Sequence, residues 1–188
     1  LKGRISAIEI KNNNTYHLGV VIKENFHMSF PYTFEYQNKL YMVPETHQIN
    51  EIRLYECTNF PLKWSFKMTL MKNISSADTL IFKHNKFWFM LTNKCSSNLR
   101  DFNSELHIFY SDNLFSDDWK PISSGNPVIF DSRRARNGGI FFHDKNIYRI
   151  NQIHDKNHYG RKFGINLISK LDENSFEEKR IDHVEANF

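Results

Sequence analysis

The chain repeats one unit. Three segments share a plan: Ser29-Phe30-Pro31 through Asn38-Lys39-Leu40-Tyr41-Met42-Val43, Ser76-Ala77-Asp78 through Asn85-Lys86-Phe87-Trp88-Phe89-Met90, and Arg136-Asn137-Gly138 through Lys145-Asn146-Ile147-Tyr148-Arg149-Ile150. In each, an apolar run leads through a short polar turn into an aromatic-rich run, which is the pattern of a β-hairpin. Pro31 aligns with Asp78 and Asp78 with Gly138, a period of roughly 50 residues. A third strand follows in each copy: Glu51 to Glu56, Glu105 to Tyr110, and Phe163 to Ile168. After the first two, Trp64 and Trp119 each open a fourth, outer strand. Four strands per repeat of about 50 residues is the arithmetic of a β-propeller; the alternative is a β-sandwich with coincidental spacing. Helical periodicity is absent, and only Asp172 to Lys179 predicts a helical turn or two.

Composition supports an all-β reading. The chain has 188 residues with 17 Phe, 8 Tyr and 3 Trp against 7 Gly, an aromatic wealth that favours strands. The 25 Lys+Arg are interleaved with 21 Asp+Glu for a net charge of +4, which lacks the dense basic stripe of a nucleic-acid binder. No apolar run approaches the roughly 20 residues of a membrane-spanning helix. Cys57 and Cys95 make neither a disulfide framework nor a zinc site, and they fit a reducing compartment. The segment Gly3 to Ile10 aligns with Asn50 to Cys57 and so reads as the third strand of a preceding blade. The expected organisation is a single propeller domain over residues 1–188, incomplete at both ends, with a blade remnant at 1–26 and blades at about 27–72, 73–124 and 132–182.

In a propeller the innermost strands line the axis and ligands bind at its mouth. The starts of those strands are polar here: His27-Met28-Ser29, Ser75-Ser76-Ala77-Asp78 and Arg133-Arg134-Ala135-Arg136-Asn137. The functional reading is a polar funnel where His27, Ser29, Asp78, Arg136 and Asn137 converge; the structural one is turn chemistry at blade junctions. Glu45, at the end of a second strand, is a candidate general acid or base or an acceptor for sugar hydroxyls, or else a brace for a nearby Arg. Arg149 interrupts an apolar strand and needs a partner if buried: a ligand anion, or an internal acid such as Glu45 or Asp78. Gln152 stands at the end of the same strand. The Arg133–Arg136 stretch has the chemistry to grip phosphate, or it is a solvated loop. His154, Asp155 and His158 resemble metal ligands only by composition, so no metal site is expected.

His27-Met28-Ser29-Phe30-Pro31 with Tyr41-Met42-Val43-Pro44-Glu45-Thr46 is similar to a segment of the N-terminal domain of glucosamine inositolphosphorylceramide transferases. The resemblance continues in order through Leu54-Tyr55, Phe60-Pro61 with Trp64, Asp78-Thr79, Asn126-Pro127, Ala135 to Gly139, Tyr148-Arg149, Gln152, Tyr159-Gly160 and Phe176-Glu177-Glu178. It implies a five-bladed propeller of the glycoside hydrolase family 43 type, of which this chain holds about three complete blades and part of another. It also implies relatives in bacterial surface-polysaccharide loci, beside or fused to transferase-like proteins. In the hydrolases two Asp and one Glu at the axis act together. Here Asp78 alone is a carboxylate at a first-strand start, and Glu45 is the candidate for the acid although it comes from another strand.

The resemblance implies a carbohydrate-active domain that binds or processes a sugar, sugar-phosphate or glycolipid acceptor in glycan assembly, as part of a glycosyltransferase or beside a partner transferase. In that reading Asp78 and Glu45 are the candidate catalytic pair. His27, Ser29, Arg136, Asn137, Arg149 and Gln152 hydrogen-bond the ligand, and Tyr159 stacks on a sugar face. A family 43 glycosidase and a non-catalytic interaction propeller are the alternatives. No cofactor, nucleic acid or integral membrane segment is expected. The expected location is the cytoplasm of a bacterium, with membrane association through partners.

Overall fold

The computed structural model describes residues 2–95, 101–154 and 160–185. A hairpin of β1 (Ile5–Lys11) and β2 (Asn14–Ile22) is followed by a four-stranded antiparallel sheet of β3 (Ser29–Tyr36), β4 (Lys39–Glu45), β5 (Glu51–Asn59) and β6 (Lys63–Lys72) in sequential order. The second sheet runs β7 (Ser76–His84), β8 (Phe87–Lys94), β9 (Glu105–Ser111) and β10 (Lys120–Pro121), with β11 (Ile129–Phe130) also on β9. The third is β12 (Asn137–His143), β13 (Asn146–Ile153), β14 (Lys162–Leu171) and β15 (Phe176–Glu185). These are three blades of a β-propeller in an open arc, and the β1–β2 hairpin forms a separate two-stranded sheet beside them. No helix among the described residues is long and apolar enough to cross a membrane.

Two-residue turns tighten several hairpins. Both central residues have positive φ at Asn12-Asn13, Gln37-Asn38 and Asp144-Lys145, the geometry that matches the strand twist. Asn tolerates that region better than most residues, and Asn12, Asn13 and Asn38 supply it in these turns.

Alternation sets the packing. On the middle sheet, Leu80, Phe82, Phe89, Leu91 and Ile108 pack with Ile147, Ile168 and Leu171 of the third sheet. Their neighbours Ile81, Trp88, Met90 and Phe109 pack with Tyr41, Val43, Leu54 and Leu70 of the first. Successive side chains point to opposite faces, so β7 and β8 bury both faces and read as continuous apolar runs. A smaller seam joins Ile5 and Ile22 of the hairpin to Met28, Met42 and Tyr55. Each such side chain contributes about 1.5–3 kcal/mol when fully buried.

Three sequence expectations are corrected. Asp172 to Lys179 is not helical: Asp172 Oδ1 accepts from the backbone N–H groups of Asn174 (2.8 Å) and Ser175 (2.8 Å), and this tight turn feeds β15. The outer strand after Trp119 is not continuous. Pro121 and Pro127 lack the N–H a ladder needs, so the edge is broken into β10 and β11. Between them the Asn126 side chain takes the place of a strand residue, accepting from Ile108 N–H at 2.8 Å and donating to Ile108 O at 2.9 Å. Third, the counterpart of Asp78 in the first blade is Phe30 and not Pro31. Ser29 pairs with Glu45 as Ala77 pairs with Asn93, and each inner strand then carries a bulge. Phe30 (φ 43°) and Asp78 (φ 49°) occupy the same left-handed position in it.

The two-sided middle sheet carries the packing. Leu80→Ala is expected to cost about 2–5 kcal/mol in urea denaturation, whereas Phe142→Ser, at a side chain 56% exposed, should stay within about 0.5 kcal/mol.

Candidate functional site

The bulges bring the three blades together at the axis. Asp78, 2% exposed, sits at the bulge of the middle blade. Its backbone carbonyl accepts from Asn137 Nδ2 at 2.9 Å, which helps hold the uncommon left-handed conformation, a strain of about 1–3 kcal/mol. Its carboxylate accepts from Arg136 Nε and from Gln152 Nε2 (2.9 Å) of the third blade. On the other side Glu45 of the first blade comes within hydrogen-bond reach of Asp78 and lies 3.9 Å from Arg136 Nη2. Gly138 occupies the third blade's bulge. A Cβ there would stand 3.3 Å from Gln152 Cγ, so glycine leaves room for Gln152 to reach Asp78.

Two carboxylates and one guanidinium thus share a largely buried site. The Asp78 carboxyl is pushed up from 3.8 to about 6, first by burial and then by Glu45, against the pull of Arg136. Such a carboxyl takes up its proton near pH 6, above the ordinary carboxylate range.

A second group lies beside the pair. Glu45 Oε1 is 2.8 Å from His47 Nδ1, and the His47 ring packs 5.4 Å from Phe102 and 6.1 Å from His27. Together with Gln48, Asn50, Ser75 and Cys95 these rings line a cleft of about 620 Å³. His47 therefore stands between the buried carboxylates and an open cleft with an aromatic wall. Asn103, next to Phe102, accepts from Arg136 Nη1 at 3.3 Å.

The residues expected at the mouth have distinct places. Asp78, Glu45, Arg136 and Gln152 form one cluster, and Ser29 stands opposite Glu45 in the β3–β4 ladder. His27 lines the cleft while its Nδ1 accepts from Gly3 N–H at 2.9 Å. Asn137 is fully buried at the seam between blades two and three, where it also bonds Leu91 O, Asn93 Oδ1 and Arg149. Arg149 is 0% exposed and pairs bidentately with Glu178, at 2.8 and 2.7 Å. It also donates to the carbonyls of Arg134 and Ala135, fixing the loop that carries Arg136. Its partner is thus neither of the acids expected for it. Tyr159, Asp155 and His158 lie outside the described residues. Among the described residues no group of three or more His, Cys, Asp or Glu is placed to hold a metal.

Sequence reasoning missed His47, Phe102, Asn103 and Glu178. Glu178 had one signal, its place in the family-like Phe176-Glu177-Glu178 run. His47 opens a short 3-10 turn (His47–Ile49), and Phe102 and Asn103 sit in a loop, where no period points to the axis. One register was readable, however. Glu45, Asn93 and Asn151 each face the residue just before a bulge. Asn93 and Asn151 are spent on clasping backbone, with Asn93 Nδ2 on Ala135 O at 2.8 Å and Asn151 Nδ2 on Arg133 O at 3.0 Å. The first blade has a carboxylate at that position.

The comparisons with known proteins agree with this architecture. Residues 1–187 match the family model described as glucosamine inositolphosphorylceramide transferase 1, N-terminal. The chain is 30% identical over 167 residues to the Arabidopsis thaliana protein named glucosamine inositolphosphorylceramide transferase 1, covering 87% of this chain and 21% of that one. It is 31% identical over 164 residues to the protein of the same name from Oryza sativa subsp. japonica, covering 86% and 22%. It thus spans about a fifth of the length of these relatives. Among solved structures, an exo-β-1,3-galactanase from Phanerochaete chrysosporium superposes with a TM-score of 0.61 at 14% identity, over 85% of this chain and 39% of that one. GH43B of the Bacteroides ovatus xyloglucan PUL gives 0.62 at 11% identity, over 90% and 36%. The Bombyx mori GH32 β-fructofuranosidase gives 0.58 at 16%, over 98% and 44%. These likenesses show the fold.

Two measurements probe the site. The fold raises the Asp78 pKa, so the folded state holds that proton more tightly than the unfolded chain. The resulting stability is complete below about pH 4 and is lost as pH rises through about 6. Urea denaturation of the wild type should therefore weaken, relative to Asp78→Asn, between pH 4 and 7; a constant difference would refute the raised pKa. Glu178→Ala leaves the Arg149 guanidinium buried without its carboxylate, and about 3–5 kcal/mol of stability should go with it.

Proposed function

The chain belongs to the glucosamine inositolphosphorylceramide transferase 1 N-terminal family, and from that premise we propose that it is a carbohydrate-handling propeller module of a glycosyltransferase system. It holds a sugar or sugar-phosphate acceptor at the mouth of the blade arc during glycan or glycolipid assembly. The observation that carries this is the meeting of Glu45, Asp78, Arg136 and Gln152, from three blades, beside a cleft walled by Phe102, His27 and His47. Buried carboxylates are strong acceptors for sugar hydroxyls, and aromatic rings supply a face for the apolar side of a pyranose. His47, bonded to Glu45, offers a route for a proton between the pair and the cleft. Ser29 and Tyr159 belong to the same proposal as polar and stacking contacts. Asn137 and Arg149 enter it as the residues that set the loop and bulge on which Arg136 and Asp78 stand.

Binding is favoured over glycoside hydrolysis by the geometry of the pair. Hydrolysis needs two carboxyls at least about 5 Å apart, with the anomeric carbon between them. Asp78 and Glu45 are in hydrogen-bond reach of each other, and Arg136 bridges them. In this proposal the pair holds ligand and shares a proton. Transfer chemistry belongs to a fused or partner transferase domain. Further blades at both ends complete a five-bladed ring, a proposal supported by the exposed Ile8, Ile10, Tyr16 and Val20 on the hairpin and Phe141, Phe163 and Val184 on the last blade. The cytoplasmic setting of a bacterial polysaccharide locus is proposed from the family likeness and from the free thiol of Cys57.

One observation favours a second reading, a purely structural propeller: Arg136 and Arg149 both already face internal carboxylates. Calorimetric titration of the full chain with free sugars and sugar phosphates separates the two. The proposed function predicts binding that weakens about tenfold or more in Glu45→Gln, through loss of a charge-assisted hydrogen bond, with circular dichroism unchanged. Absence of binding by any sugar, or identical affinity in the variant, sinks it in favour of the structural reading.

A further inference from the structure

Behind the axial cluster lies a second pocket, of about 470 Å³, lined by Arg133, Ile153, His154, Arg161, Lys162, Arg180 and His183. Its wall is cationic. Lys162 pairs with Glu185, which also lies 3.9 Å from His183. Among the described residues, no carboxylate comes within ion-pair distance of the Arg133 or Arg180 guanidinium.

Arg180 is held there by construction. Its guanidinium packs against Gly164, where a Cβ would stand 2.8 Å from Nε and 2.9 Å from Nη2. Nη2 donates to Asn151 Oδ1 at 2.8 Å and to Arg133 O at 3.1 Å, while Nε is buried with no partner among the described residues. That orphaned, charged N–H costs folding energy, while the rest of the guanidinium lines the pocket. The pocket and the axial site are linked along β13. Gln152, which bonds Asp78, precedes Ile153 and His154 of the pocket wall, and the charge on Arg136 is felt at His154.

We propose that this pocket is an anion site that takes a phosphate group, as a monoester or a diester, of the ligand held at the axial cluster. The statement rests on the sugar-handling reading for the rest of the ligand, and on Arg133, Arg180 and Gly164 for the phosphate. Planar guanidinium groups match phosphate oxygens, and two of them at one pocket give both charge and geometry. The apposition makes the preferred ligand a sugar carrying phosphate within one residue's reach of the hydroxyls bound by Asp78 and Gln152. A soluble sugar phosphate and a phosphodiester lipid headgroup share that chemistry.

The test uses the full chain, with circular dichroism as the control for folding. Titrations with inorganic phosphate, glucose and glucose 1-phosphate are compared in wild type, Arg133→Ala and Arg180→Gln. Arg133 is exposed and its side chain holds no structural bond among the described residues, so its variant keeps the test valid if Arg180→Gln fails to fold. Phosphate and glucose 1-phosphate should bind, and each variant should weaken both about tenfold. Phosphate binding with no added affinity for glucose 1-phosphate would uphold the anion pocket while removing the sugar reading. Sedimentation with phosphatidylcholine vesicles, with or without phosphatidylinositol, identifies the source: variant-sensitive pelleting marks a headgroup, and variant-sensitive binding of glucose 1-phosphate alone marks a soluble ligand. No phosphate binding at tens of millimolar, binding unchanged in both variants, or binding lost only in Arg136→Gln would overturn the inference.

Discussion

The burial of both faces of the middle sheet organises everything else. Alternate side chains of β7 and β8 must leave water on opposite sides, and only another sheet on each side removes that much apolar surface. Three sheets stacked face to face, each twisted, place their first strands side by side along one line. Once that line exists, whatever the first strands carry at their starts is forced together. The polar centre is a consequence of apolar packing farther out.

That centre then has to be satisfied internally. Bulges turn the backbone at Phe30 and Asp78 into the left-handed region and re-aim the side chains. The amides of Asn93, Asn137 and Asn151 clasp carbonyls and N–H groups across the seams. Arg149 and Glu178 neutralise each other in the third blade and hold the loop that delivers Arg136. Only in the first blade does a carboxylate stand where the other blades use Asn. That substitution puts a second negative charge near Asp78, and with burial it raises the Asp78 pKa to about 6. The repeat is therefore structural in two blades and departs from itself where chemistry is available. Cationic side chains of Arg133, Lys162 and Arg180 beyond Gln152 extend the polar zone outward.

Much of this was legible from residue order. The hairpins, the third strands and the place of Trp64 follow from local alternation and turn chemistry, which act within a few residues. The two indoles even repeat a contact, each donating to the carbonyl three residues earlier at 2.9 Å. That Asp78 and Arg136 stand together was legible too, because a period of strand starts implies a common axis; Glu45, at the end of a second strand, was a candidate on its residue type alone. The errors came where local signals compete. Asp172 to Lys179 is polar enough for a helical turn, but β14 offers it an edge to pair with, and the ladder wins. The shift from Pro31 to Phe30 arises because a bulge adds a residue without any mark in the hydrophobic pattern.

By itself, then, the order of residues determined the repeating sheet, its inward and outward faces, and the polar character of the strand starts. These are short-range consequences of side-chain alternation and of φ preference. Which acid meets which base was decided only by the tertiary structure. Glu178 reaches Arg149 across an intervening strand, and His47 and Phe102 reach the cleft from the connections between strands of different blades. Such pairings depend on twist, bulge and stacking summed over the whole arc, quantities that no short window of the chain encodes.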